Sequence, residues 1–271
     1  MCTRVTMPSR HAARAALCLL LLTLIAGCVH VGSPFRQYPI PSSAPPVEDI
    51  LTDLAENDGA IAGFRATGAF IVETPEITKR RFQGRVVYQR PHDLSLRGNH
   101  PVLGTRIFEM ECRGDAWVID IPSENQRFTG HGAAEFDGVE GVSVTPFDIA
   151  REVFFQEDWD AVAPDQVEML RYSPRTQSAV LVVTRPDGFR RRIEVAGAPW
   201  VVTRSSLYTP EGELLSEVER GEYREVDGFR VASRVVSTFP LNHASFEFRL
   251  RGIEIDGDPY DPDLGRATAV E

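Results

Sequence analysis

The sequence predicts a mainly β protein: one domain built on a strongly curved antiparallel sheet, or unclosed β-barrel, of about 11–13 strands with two short α-helices packed on its concave face. Three observations predict it. Apolar and polar residues alternate with a period of two over most of the chain after residue 63. The alternating runs are joined by short turn sequences such as Arg113-Gly114-Asp115, Pro186-Asp187-Gly188, Pro210-Glu211-Gly212 and Asp227-Gly228. Only two stretches carry apolar residues at helical spacing. Strands that follow one another through short turns pair as an antiparallel meander.

The chain opens differently. Arg4, Arg10 and Arg14 precede an apolar run from Ala15 to Gly27, with no acidic residue before Glu48. This is the pattern of a secretory leader, and the run is short of the roughly 20 apolar residues of a comfortable bilayer span. It closes on Leu24-Ile25-Ala26-Gly27-Cys28, which resembles the bacterial lipobox. The expectation is a leader over 1–27 and a Cys28 whose sulfur carries a diacylglycerol as a thioether. Acyl chains at about 0.8 kcal/mol per buried CH₂ would anchor the chain to a membrane. Val29 follows the cysteine rather than an aspartate, which under lipoprotein sorting implies the periplasmic face of the outer membrane.

Composition narrows the function classes. Loss of a leader with three arginines and no acids takes the net charge from −10 to −13. Nucleic acid is thereby disfavoured as a partner, since phosphate contacts need a basic surface. Of the four cysteines, Cys2 and Cys18 fall in the leader and Cys28 is the acylation site. Cys112 is left alone, so the fold must be held by its core rather than by a disulfide.

The elements follow in order. Residues 28–47 are rich in proline and serine and read as a lipidated N-terminus and tether. Val47 to Asn57 places Val47, Ile50, Leu51 and Leu54 on one helical face, and Asp58-Gly59 ends it. Strands are expected over 64–73, 80–89, around Leu94 and Leu96, through Phe108, Met110 and Cys112, through Trp117, Ile119 and Ile121, and over 124–129. Gly130 to Gly141 is irregular. Thr145-Pro146 then has the signature of a helix start, with the helix reaching about Gln156. Strands resume over 167–173, 177–184, 189–195, 200–208, 213–224, 229–239 and 244–255. Apolar parity in the last strand switches between Leu250 and Ile253, which predicts a bulge near Arg251-Gly252. The domain thus runs over 48–256, followed by a polar tail over 257–271.

Motifs for chemistry are sparse. The histidines form no His-x-x-x-His pair and the cysteines no Cys-x-x-Cys pair, so no metal or other cofactor is expected. Glu109 and Glu111, Asp115 and Asp120 read as the solvated face of a sheet, and Arg190-Arg191-Arg192 as the solvated start of a strand. Cys112 shares a face with Phe108 and Met110 and reads as a small core residue. The expectation is a protein that is not an enzyme.

One hairpin departs from the usual pattern. Between Leu96 and Phe108 the loop Asn99-His100-Pro101-Val102-Leu103-Gly104-Thr105 holds an apolar pair where polar residues are the norm. Val102 and Leu103 either tuck beneath the sheet as a satellite core or meet an apolar partner.

Taken in sequence order, these features resemble the LolA/LolB superfamily of lipoprotein carriers and receptors, the LolB-type outer-membrane receptors above all. The likeness lies in the lipobox, tether and short helix; in the strand pair 64–73 and 80–90 ending in Arg90-Pro91-His92-Asp93-Leu94-Ser95-Leu96; in the loop Asn99 to Thr105, similar to the asparagine-proline-leucine-glycine loop of LolB-type proteins; in the helix start Val144-Thr145-Pro146-Phe147; and in Tyr223 to Phe229. It runs weakly over residues 48–255. The resemblance implies an unclosed barrel with an apolar cavity for the acyl chains of lipoproteins or other lipids. It implies exchange with a periplasmic LolA-like carrier and a membrane-insertion loop in which Leu103, beside Val102, matches the protruding leucine. Alternation independently supplies candidate lining residues, Phe70, Phe82, Val86, Phe108, Met110, Trp117 and Ile119, each of which could equally be core. A second reading keeps the fold and replaces the lipid with a protein partner, in a non-enzymatic envelope sensor or assembly factor.

Overall fold

The computed structural model describes residues 33–75, 79–90, 93–131, 134–135, 143–144, 159 and 162–255. The chain divides into two units, Met1–Arg36 and Gln37–Glu271, and the sheet belongs to the second. Six strands lead outward from its middle: β1 (Gly63–Glu73), β2 (Arg80–Gln89), β3 (Asp93–Asn99), β4 (Arg106–Arg113), β5 (Ala116–Ile121) and β6 (Gln126–His131). A two-residue pair, β7 (Ala134–Glu135) with β8 (Ser143–Val144), stands apart. Seven more strands lead back: β9 (Val167–Ser173), β10 (Ser178–Thr184), β11 (Arg190–Ala196), β12 (Val201–Tyr208), β13 (Leu214–Val226), β14 (Phe229–Phe239) and β15 (Ala244–Ile255).

All but the small pair join one 13-stranded antiparallel sheet in the order β6-β5-β4-β3-β2-β1-β15-β14-β13-β12-β11-β10-β9. Two meanders therefore meet at a central β1–β15 pairing, and β6 and β9 lie at opposite ends, so the barrel is unclosed. The expected parity switch is real. Pairing steps from Arg65↔Glu254 to Thr67↔Arg251, which leaves an extra residue in β15, and Gly252 takes the bend at φ +53°.

The sheet carries two cores. One unites Phe64, Ala66 and Phe70 of β1 with Phe82, Val86 and Tyr88 of β2, Leu94 of β3, Cys112 of β4, and residues of β13 to β15. The other lies under helix α1 (Val47–Leu54). Its Ile50, Leu51 and Leu54 are buried against Leu181, Ile193, Val195, Val202, Trp159 and Trp200. Glu48 and Asp49 in the first turn complement the helix dipole. Asp53 accepts a hydrogen bond from the Trp200 N–H at 3.2 Å. The helix continues as a π-turn, Ala55–Gly59, rather than stopping at Asp58. One helix, not two, belongs to the described residues; the expected helix from Thr145 to Gln156 lies outside them, as do Cys28 and the 257–271 tail.

Part of the stretch read as a tether is docked on the domain. The Tyr38 N–H donates to the Leu170 carbonyl on edge strand β9 at 2.8 Å, and Ala44 packs on the α1 core. The backbone bond covers part of an edge that would otherwise template pairing with another chain.

Candidate functional site

The β3–β4 hairpin closes through the His100 N–H to the Thr105 carbonyl, 2.8 Å, and the Gly104 N–H to the His100 carbonyl, 2.9 Å. Gly104 sits at φ +69°, in the left-handed region. The His100 ring points into the loop, and its Nδ1 accepts from the backbone N–H groups of Val102 (3.3 Å) and Leu103 (3.2 Å). With those polar groups held inward, the side chains face out. Val102 is 84 % and Leu103 72 % exposed, far above the other exposed large apolar residues among those described. The pair does not form a satellite core.

The seven candidate lining residues share one sheet face, because β1 to β5 pair in register through Phe70↔Phe82, Val86↔Leu96, Leu96↔Met110 and Met110↔Ile119. They differ in depth. Phe70, Phe82 and Val86 are core residues, whereas Phe108, Met110, Trp117 and Ile119 are half-buried. The face continues to Phe128 on β6, which pairs with Ile119 and is exposed. Apolar surface thus opens progressively toward the β6 end. The larger rings use glycine as a seat: Phe70 lies over Gly84, Phe108 over Gly98 and Trp117 over Gly130. Phe82 and Phe108 meet edge to face at 5.6 Å.

The opposite face of the same strands is polar, but it is not merely solvated. Glu109, expected at the surface, is 8 % exposed. Its Oε1 accepts from Arg97 at 2.8 and 2.6 Å and its Oε2 from Arg106, which also pairs with Asp120 at 3.7 Å. Burial pushes the Glu111 carboxyl up, with Arg113 opposing and Glu109 adding to the rise. Arg191 also departs from expectation. It is buried, because it alternates onto the same face as Ile193 and Val195, while its neighbour Arg192 pairs with Glu194 at 2.6 Å.

A polar cluster that the sequence did not single out lies at the π-turn. Burial pushes the Asp58 carboxyl upward, against the pull of Asn57, Arg220, Trp159 and Arg90, and among the described residues its Oδ2 takes no hydrogen bond of standard geometry. Asn57 clamps the turn to β14: its Oδ1 accepts the Arg230 N–H at 2.8 Å and its Nδ2 donates to the Arg230 carbonyl at 3.0 Å. The Arg90 guanidinium donates to the Asp58 carbonyl at 3.0 Å. The Tyr223 hydroxyl donates to the Val202 carbonyl, and burial pushes its pKa upward. Asp58, Arg220, Tyr223 and Arg230 line a cavity of about 40 Å³ that Phe64, Val235 and Leu250 close on the apolar side. That is room for about three waters. The partners lie far apart in sequence, so no local motif could have announced them. Among the described residues no group of three or more His, Cys, Asp or Glu is placed to hold a metal.

Solved structures give this arrangement a context. A LolA superfamily protein of Nitrosomonas europaea superimposes at a TM-score of 0.54 with 14 % identity, over 82 % of this chain and 97 % of that one. The chain has the LolA-like fold. A putative outer membrane lipoprotein-sorting protein domain of Vibrio parahaemolyticus matches at 0.54 and 14 % identity, over 80 % of this chain and 95 % of that one. A DUF1329 family protein of Desulfovibrio piger matches at 0.58 and 10 % identity, over 84 % of this chain and all of the other. No family profile and no curated protein matches the sequence. Within the LolA-like fold of this chain, the exposed tip and the apolar face belong to one meander, β1 to β6, joined through β3 and β4.

Proposed function

We propose that this chain is a lipid-anchored envelope lipoprotein, held through Cys28 at the periplasmic face of the outer membrane, that accepts acylated cargo and passes it to the bilayer. Phe108, Met110, Trp117 and Ile119 receive acyl chains on the half-buried β4–β5 side, over the core that Phe70, Phe82 and Val86 form beneath the same face, and Val102 and Leu103 enter the membrane. A periplasmic LolA-like carrier supplies the cargo. The role is binding and transfer, without catalysis or a cofactor.

The observation that carries this reading is the tip. Two large apolar side chains stand in solvent on a turn braced by four hydrogen bonds, so their exposure is built in. Such a point suits a bilayer, where burial of each side chain is worth about 1.5–3 kcal/mol. The test is transfer of a purified acylated lipoprotein from a carrier to vesicles. Leu103→Glu abolishes transfer and leaves the unfolding midpoint in place; undiminished transfer by this variant rejects the reading.

The second reading, an envelope protein that binds a protein partner, draws on strand β6. It ends the sheet and its residues 126–129 are exposed, which suits strand addition by an extended segment. A stable complex in a mild-detergent pull-down, lost on Phe128→Glu and kept on Leu103→Glu, would favour it.

A further inference from the structure

Resting on the proposed membrane role, we infer that three neighbouring hairpins together form a membrane-facing end selective for anionic lipid, with Leu241 as a second insertion point and Lys79, Arg80 and Arg81 at headgroup level. The sheet order β4-β3-β2-β1-β15-β14 sets the β3–β4, β1–β2 and β14–β15 hairpins side by side. Their register puts all three turns at one end. Asn99 pairs with Gln83 just before the β3–β4 turn, Arg80 pairs with Val72 at the mouth of the β1–β2 turn, and Glu73 pairs with Ser245 just after the β14–β15 turn. At about 4.8 Å between strands, the row is roughly 20 Å wide.

Leu241 is not required by its turn. The β14–β15 connection is a 3₁₀ turn, Pro240–Asn242, closed by the His243 N–H to the Pro240 carbonyl at 3.2 Å, with His243 at φ +48°. The β5–β6 connection is built alike, Pro122–Glu124 with Asn125 at φ +53°, and holds Ser123 where the other holds Leu241. Leu241 is nevertheless 39 % exposed, above the edge-to-face pair Phe239 and Phe246.

Between the two apolar points, Lys79, Arg80 and Arg81 are exposed and make no ion pair among the described residues. By contrast, Arg185 at the β10–β11 turn is held by Asp187 at 3.2 Å. Arg81 lies two residues past Gln83, so it stands about 7 Å beyond the Asn99 level, beside the base of the Val102–Leu103 loop. Arg80 and Lys79 continue from Arg81 toward the turn, so the three cations run alongside the Val102–Leu103 loop and end short of the Pro240–Asn242 turn. Cations on long side chains beside two apolar insertion points suit contact with lipid phosphates. The other run of three cations, Arg190-Arg191-Arg192, differs in that Arg191 is buried and Arg192 is paired with Glu194, whereas Lys79, Arg80 and Arg81 are all exposed.

The test places a nitroxide at Leu103→Cys or Leu241→Cys in the mature acylated chain, whose remaining thiol, Cys112, is buried. The chain is reconstituted in phosphatidylcholine vesicles with and without phosphatidylglycerol, and collision with oxygen is compared with collision with a polar nickel chelate. Both labels become oxygen-accessible in anionic vesicles, and exchanging Lys79, Arg80 and Arg81 for Gln reduces the immersed fraction at 241 about tenfold there and little in neutral vesicles. Immersion at 103 with 241 left in water overturns this inference and leaves the proposed function standing. Immersion at both sites that ignores lipid charge and the Gln exchanges also overturns it. Immersion at neither site overturns both readings.

Discussion

The ring of Phe70 lies flat over Gly84, its diagonal neighbour on the next strand, so closely that a Cβ on Gly84 would occupy the space of the ring. The same device seats Phe108 on Gly98 and Trp117 on Gly130. Each pair lets a large ring lie along the sheet instead of standing away from it, which keeps the apolar face low across β1 to β6. Gly84→Ala therefore forces Phe70 out of its seat and destabilises the domain by about 1–3 kcal/mol. Urea unfolding measures it. The same exchange at Gly104, where a Cβ meets nothing, costs only the strain of a left-handed residue.

Asn57→Ala removes both side-chain bonds to the Arg230 backbone and leaves that N–H and carbonyl to find other partners. The expected loss is about 1–3 kcal/mol in equilibrium unfolding. Asn57→Asp keeps the acceptor and loses the donor, and it falls between the two.

Asp58 and Glu247 shift in opposite directions, and their variants separate by pH. Burial raises the Asp58 carboxyl above its ordinary value of 3.8 in the folded state, so the favourable contribution of its protonated form is full below that value and is lost as pH rises through the folded pKa. Asp58→Asn should gain stability on the wild type as pH is raised from about 4 to 8. For Glu247, burial raises the carboxyl but hydrogen bonds from Arg249 and Arg234 outweigh it, and the net shift is downward. Its contribution is present above 4.5 and lost as pH falls through the folded pKa, so Glu247→Gln should lose most at neutral pH and converge on the wild type in acid. Unfolding midpoints from about pH 2 to 8 check both slopes, that of Asp58 above pH 4 and that of Glu247 below it.

Much of the sheet was legible because its cause is local. Alternation and turn chemistry located the strands of the large sheet to within two or three residues but not the short β7–β8 pair, and the parity change between Leu250 and Ile253 located the bulge at Gly252. The apolar tip was legible too, since Val102 and Leu103 violate the local preference of a turn. Arg191 shares the parity of Ile193 and Val195, and its burial follows from that alternation, which outweighs its charge. What stayed hidden depends on register. Glu109 looks solvated until Arg97 of the adjacent strand and Arg106 at the start of its own strand close on it. Asp58 looks like a helix stop, and becomes the buried centre of a cluster only because β13 and β14 bring Arg220 and Arg230 to it. Nothing within a few residues of Tyr38 foretells its bond to Leu170.

The central claim is that the half-open face of β4 and β5 takes an acyl chain. Native mass spectrometry of the mature chain, stripped of detergent and offered a triacylated peptide, tests it most directly. The account predicts a one-to-one complex that is lost in Phe108→Asp and Trp117→Asp while the exposed-surface control Arg175→Gln keeps it. A wild-type chain that stays unliganded across a titration, or variants that bind as well as it does, would contradict the account.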